Sequence, residues 1–235
     1  MENKVTTHHH EGLGVKNNVT IYLTRVYNWM ALALFITGLV AYYAATSEQV
    51  KNLIFTSKFA FYGLIIGELL LVVYLSRAIH KISQNTAIMV FLLYATLNGL
   101  TMSVIFMIYT TASIASTFYI TAGTFGVMSL YGYYTKNDLT KIGNLAMMGL
   151  VGIIIASIVN MFFQNDMMGW IITYIGVAIF VGLTAYDTQK LKEIGANGFK
   201  NGESMEKIAI MGALTLYLDF INLFLFLLRI FGDRK

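Results

Sequence analysis

After a polar stretch of about 24 residues, the chain falls into seven apolar tracts separated by short polar breaks. They lie near residues 26–46, 59–79, 87–109, 114–134, 142–163, 167–186 and 208–230. Each is close to the ~20 residues that a helix needs to cross a hydrocarbon core. In lipid every backbone N–H and C=O must be satisfied within its own segment, so tracts of this length predict helices. The pattern predicts an all-α polytopic membrane protein, with a polar tail over 1–24 and a single seven-helix transmembrane domain over 25–235. The connections are too short for a separate soluble domain, and no internal repeat is visible. Gly63 and Gly67 form a G-x-x-x-G on the second tract, a spacing that permits close helix approach. Trp29 and Trp170 fall at tract ends, where interfacial anchors sit.

Composition agrees with the pattern. Of 235 residues, 57% are hydrophobic and only 12% charged, against about 25% charged in a soluble domain, so the lipid bilayer is the expected solvent. The absence of cysteine excludes disulfides, thiolate chemistry and Cys-based metal sites. The absence of proline leaves glycine or an inserted side chain as the source of any kink. The tail has no apolar core or cleavage site of a secretory signal, so the first span is expected to do the targeting. His8-His9-His10 offers a metal tract or, more simply, a solvated run; it is read here as solvated.

Basic residues alternate from loop to loop. Lys4, Lys16 and Arg25 precede the first tract; Arg77, His80 and Lys81 follow the second; Lys136 and Lys141 follow the fourth; Lys190, Lys192, Lys200 and Lys207 follow the sixth. The third and fifth connections, 110–113 and 164–166, carry none. By the positive-inside rule the N-terminus and the even-numbered loops are cytoplasmic. The net charge of +4 fits this bias and provides no basic face for nucleic acid. Seven spans put Arg234 and Lys235 outside, against the rule, so the last tract is either re-entrant or an atypical span.

Inside the tracts a few charges stand out: Glu68 and Arg77 on the second, Asp187 at the end of the sixth, Asp219 and Arg229 on the seventh. A carboxylate at membrane depth costs at least ~2.5 kcal/mol, and two on consecutive segments point to each other as partners. Asp187 taken alone is equally a helix cap among Thr188, Gln189 and Lys190. Along their helices Glu68 and Arg77 are about 13 Å apart, and Asp219 and Arg229 about 15 Å, which suits two acid–base contacts at two depths between antiparallel helices. Taken singly, Arg77 and Arg229 read as interfacial anchors. Thr184 and Thr188 lie one turn from Asp187, and Thr215 and Asn222 flank Asp219 on its face. Asn98 and Asn160 read as hydrogen-bonding groups between helices.

The stretches Gly182-Leu183-Thr184-Ala185-Tyr186-Asp187-Thr188-Gln189 and Leu214-Thr215-Leu216-Tyr217-Leu218-Asp219-Phe220-Ile221-Asn222-Leu223-Phe224 resemble the Bax inhibitor-1 family, also called the transmembrane Bax inhibitor motif family, and most closely its bacterial branch. The resemblance implies a helical bundle around a central last helix in the cell inner membrane, and a pH-sensitive calcium leak through it. It implies Asp187 and Asp219 as a proton sensor and candidate Ca²⁺ ligands, with Glu68, Arg229 and Arg77 as latches between helices. Protons and Ca²⁺ are then the expected partners, with Ca²⁺ as permeant ion rather than cofactor. Carboxylates are hard oxygen ligands that suit Ca²⁺, and two in contact cannot both ionise cheaply, so a shared proton can hold such a pair.

Two alternatives belong to other classes. An intramembrane aspartyl protease would use two aspartates on neighbouring helices, but the glycines that should flank the second are missing, and a proline motif is impossible here. The other is a non-transporting protein that modulates a membrane protease or a stress response. The expectation is a channel rather than an enzyme.

Overall fold

The computed structural model describes the backbone of residues 2–199 and 204–235, and side chains from residue 17 onward except 55, 58 and 200–203. His8-His9-His10, Lys4, Lys16, Lys200 and Gly202 lie outside the described side chains. In chain order the helices are α1 (Glu2–Thr46), α2 (Glu48–Phe55), α3 (Lys58–Ala78), α4 (Gln84–Ile108), α5 (Thr111–Tyr134), α6 (Thr140–Phe163), α7 (Asp166–Asn197) and α8 (Met205–Phe231). An isolated bridge between Tyr109 and Arg234 is the extended pairing seen among the described residues.

The expected count of seven spans needs one correction. Among the described residues, six helices are both long and apolar enough to cross a membrane: α1 from Asn17, α3 from Phe59, α4, α6, α7 and α8. The fourth tract became α5, whose 24 residues reach about 36 Å, but its serines, threonines and glycines lower its apolarity. The eight residues of α2 were not anticipated; they extend only about 12 Å and cannot span. Ser47 starts α2 by accepting a hydrogen bond from the Val50 amide, and Glu48 sits in its first turn, where the helix dipole favours a negative charge. As expected, the last helix is the most deeply buried of the spans: 67% of its apolar window is buried, against 6% for α3.

Contacts divide the chain into two units, Met1–Val104 with Leu191–Leu214, and Ile105–Lys190 with Thr215–Lys235. In the first, α1 lies on α4. Thr37 donates to the Ala95 carbonyl at 2.9 Å, and Gly99 leaves room for Val40, whose Cβ would stand 2.7 Å from an added methyl. Glu206 accepts from both Arg25 and Trp29, so the Trp29 indole is tied to α8.

In the second unit, Ala146 and Ile153 of α6, Ile172, Ile179, Phe180 and Leu183 of α7, and Leu223 and Leu227 of α8 form one apolar cluster. Close helix approach is made by glycines other than the expected pair on α3. Gly63 and Gly67 have no neighbouring atoms within 4 Å of an added Cβ, whereas Gly132 of α5 sits against the Ala185 carbonyl of α7 and Gly143 of α6 receives the Tyr186 ring. The chain end is tied to the α4–α5 connection. The Thr110 amide donates to the Asp233 carbonyl at 3.0 Å, and Lys235 donates its amide to the Ile108 carbonyl and its ammonium to the Phe106 carbonyl. α8 is an unbroken 27-residue helix, about 40 Å long, so it is long enough to span and is not a re-entrant hairpin.

Asp138, in the exposed α5–α6 connection, accepts the Thr140 amide at 2.8 Å and helps start α6. Hydrogen bonds from Thr140 hold its carboxyl below the usual aspartate range. A lowered folded value stabilises above the ordinary aspartate pKa of about 3.9 and is lost as pH falls through the folded value. Asp138→Asn is therefore expected to weaken the start of α6 at neutral pH and to remove that acid dependence. Amide hydrogen exchange at 140–143 between pH 3 and pH 7 measures it.

Candidate functional site: the aspartate pair of α7 and α8

The last two helices run antiparallel, and their contacts fix the register. Near one end the Arg229 guanidinium lies against Gly169; further along, the Phe226 ring covers Gly176; deeper still, Asp219 meets Asp187. Helical side chains lean toward the N-terminus of their own helix, so these two carboxyl groups lean toward each other. They lie within hydrogen-bonding reach. Asp219 is 4% exposed, while Asp187 is half-buried. A carboxylate only accepts, so a hydrogen bond between two carboxyls requires a proton on one of them. The second oxygen of Asp219, Oδ2, is buried and has no protein partner.

The cap reading of Asp187 is set aside by the length of its helix. Because α7 continues to Asn197, Asp187 lies in its interior and cannot satisfy the terminal carbonyls. Lys190, one turn further on, is exposed and lies over the Tyr186 ring, 6.0 Å from its centre.

The flanking polar residues turn in several directions. Thr184 donates to the Phe180 carbonyl at 2.7 Å, and Asn222 to the Leu218 carbonyl at 2.8 Å, each within its own helix. Thr215 is half-buried, and Thr188 is fully buried with no protein partner for its hydroxyl. Among the described residues no group of three or more histidines and acids is gathered. Ca²⁺ takes six to eight oxygens, more than two carboxyl groups supply.

Glu68 is half-buried and accepts from Thr101 and, at 3.1 Å, from the Asn98 amide, both on α4. Asn98 thus hydrogen-bonds between helices, while Asn160 accepts the Asn165 amide in the α6–α7 connection. Arg229 lies over the Trp170 indole, 5.9 Å from its centre, as a cation over an aromatic face. Arg77 is exposed in the last turn of α3.

One residue of the site was missed in the sequence. Gln189 is 6% exposed; its carbonyl accepts the Leu139 amide at 2.9 Å and its amide donates to the Asn137 carbonyl at 2.8 Å. It pins the α5–α6 connection to α7 two residues beyond Asp187. The signal was present in Asp187-Thr188-Gln189, but a glutamine beside a lysine reads as solvated until the helix is known to continue. Gln189→Leu leaves a buried backbone amide unpaired and is expected to cost about 1–3 kcal/mol, measured by thermal unfolding in detergent; Gln189→Glu keeps the acceptor and should lose less.

The family model described as "Inhibitor of apoptosis-promoting Bax1" matches residues 19–235, nearly the whole chain. The chain belongs to the Bax inhibitor-1 family. It is 54% identical over 215 residues to the inner membrane protein YbhL of Escherichia coli K12, covering 91% of this chain and 92% of that one. An uncharacterized protein of Borreliella burgdorferi is 47% identical over 214 residues, with 91% and 92% covered. The protein RP147 of Rickettsia prowazekii, also uncharacterized, is 44% identical over 216 residues, with 91% and 90% covered. The aspartate pair therefore belongs to a polytopic membrane protein of this family.

Proposed function

We propose that this Bax inhibitor-1 family member is a pH-sensitive calcium or cation leak of the bacterial inner membrane, gated by the proton shared between Asp187 and Asp219. The observation that carries the reading is the meeting of two carboxyl groups, one almost fully buried, in the interiors of two antiparallel spans. With the proton present the pair holds α7 to α8. Without it two like charges face each other in a low-dielectric site, and the contact opens. The membrane assigned follows the printed name of the Escherichia coli relative.

Glu68, Arg229 and Arg77 are proposed as latches that exchange partners when the pair opens. In the conformation described, Glu68 is held by Thr101 and Asn98, and Arg229 by Trp170. A Glu68→Gln and Arg229→Gln double-mutant cycle on flux measures the coupling directly. Additive effects would remove these two residues from the latch.

The test of the whole reading is Ca²⁺ flux into proteoliposomes across pH, wild type against Asp187→Asn and Asp219→Asn. A wild-type pH profile in both variants would discard the sensor. Absence of flux at every pH, together with retention of a membrane protease in pull-down, would replace the leak by a non-transporting modulator.

A further inference from the structure

The buried face of α5 has a character that the aspartate pair does not explain. Ser113, Thr117, Thr121, Phe125, Ser129 and Gly132 are all buried and recur every three or four residues, so one stripe of the helix faces protein and most of it is hydroxyl. α5 runs antiparallel to α8. Ser113 exchanges hydrogen bonds with Asp233, its hydroxyl donating to the carboxylate at 3.2 Å and accepting the Asp233 amide at 3.0 Å; deeper in, Phe125 meets Phe220 with ring centres 5.5 Å apart. Asp219 is therefore level with Phe125. Ser129 lies one turn further along α5, and Thr117 about two turns back toward Asp233.

Some of these groups are satisfied locally, such as Thr121, which donates to the Thr117 carbonyl at 2.8 Å. Others are not. The hydroxyls of Thr117, Ser129 and Thr188 and the Oδ2 of Asp219 all lack a protein partner, on residues that are 0%, 7%, 0% and 4% exposed. Buried polar atoms are rarely left alone, and several in one unit at successive depths call for a common ligand. Each position offers a single oxygen. A hard cation needs six to eight, whereas a water molecule is held by two to four. Water is the ligand that fits.

We propose that the buried face of α5 holds two files of water molecules, one from the Asp233 end along Thr117 and one along Ser129 at Asp219, with Phe125 packed on Phe220 as the dry gate that must part for protons to pass between them. Water on the Thr117 side communicates with the Ser113–Asp233 end; water on the Ser129 side bathes Asp219 Oδ2. Charged groups of the second unit on the elements along the route are Asp166, Asp187 and Lys190 from α7, Asp219 and Arg229 from α8, and Asp233, Arg234 and Lys235 just beyond it, while α5 contributes none and α6 only Lys141 in its first turn. The role given to Asp219 rests on the shared-proton reading above; the water files do not.

The chain has no cysteine, so single cysteines can report water directly. Full-length protein in proteoliposomes is treated with Ag⁺, which follows water paths, from the face that carries Asp233. Thr117→Cys is expected to react roughly ten-fold faster than Ile153→Cys, a residue of the dry core. Ser129→Cys should react slowly alone and roughly ten-fold faster once Phe125→Ala is added, with the milder Phe125→Leu falling between. Thr117→Cys reacting no faster than Ile153→Cys would overturn the files. Ser129→Cys unaffected by either Phe125 substitution would overturn the gate. If Asp219→Asn leaves the pH profile of flux intact while these accessibilities hold, the sensor falls and the water files stand.

Discussion

Asp219→Asn is expected to remove the pH dependence of Ca²⁺ flux while leaving the bundle folded. Asparagine has nearly the shape of aspartic acid, and its amide can donate to Asp187, so the contact between α7 and α8 has a substitute hydrogen bond. What disappears, on the proposed reading, is the proton shared across the contact. In the wild type a one-proton switch can change its equilibrium by up to tenfold per pH unit, since each unit corresponds to about 1.4 kcal/mol for one proton. In Asp219→Asn that slope should fall close to zero. On the proposed mechanism, rising pH removes the shared proton from the wild type, the two carboxylates repel, and the contact opens; the asparagine variant has no such event. Asp187→Asn should flatten the profile in the same way, but its residual flux need not match, because Asp187 is half-buried and has Lys190 one turn away. Thermal unfolding of each variant in detergent checks that the loss is functional. A flattened profile with wild-type unfolding supports the sensor, and an unaltered slope in both removes it.

Gly132→Ala is expected to be the most damaging single-methyl addition in the second unit. The new Cβ would stand 2.1 Å from the Ala185 carbonyl oxygen and 2.9 Å from its carbon. These are backbone atoms in the middle of α7, so no rotamer change relieves the overlap and the two helices must separate. Overpacking of a tight core typically costs about 1–3 kcal/mol, and this contact belongs at the upper end or beyond. The displaced segment carries Asp187 two residues later, so the pH response should suffer together with stability. Gly143→Ala is the instructive comparison. Its Cβ would meet the Tyr186 ring at 2.4 Å, but a side chain can turn away where a carbonyl cannot, so the loss should be smaller. Gly152→Ala, with no neighbour within 4 Å, should be neutral or slightly stabilising through helix propensity. Melting temperatures in one detergent order the three, and a wild-type melting temperature for Gly132→Ala would refute the close contact.

Much was legible in the sequence because lipid imposes simple rules. The tract ends at 46, 134 and 163 coincide with the ends of α1, α5 and α6, where the apolar run gives way to polar residues. The two aspartates stood out for the same reason: a carboxylate in an apolar run needs a partner, and each was the nearest available to the other. Polar runs carry no such rule. Nothing in the composition of 187–197 shows that α7 continues past Tyr186, and that continuation moved Asp187 from helix end to helix interior and buried Gln189.

The small residues mark the limit most clearly. The G-x-x-x-G spacing singled out Gly63 and Gly67, which meet nothing, while Gly132 and Gly143, in no motif, carry the close contacts. Spacing shows which glycines could face a neighbour, but which of them do depends on where another helix lies. The hydroxyls of α5 read as weak apolarity along the chain and form a buried polar stripe only once α7 and α8 cover them. By itself, then, the sequence determined which segments form long apolar helices and which carboxylates must find company, because those follow from transfer free energy, a property of each segment alone. Tertiary structure decided which small and polar residues face protein, because that depends on helix register and rotation, which are set by packing between segments distant in the chain.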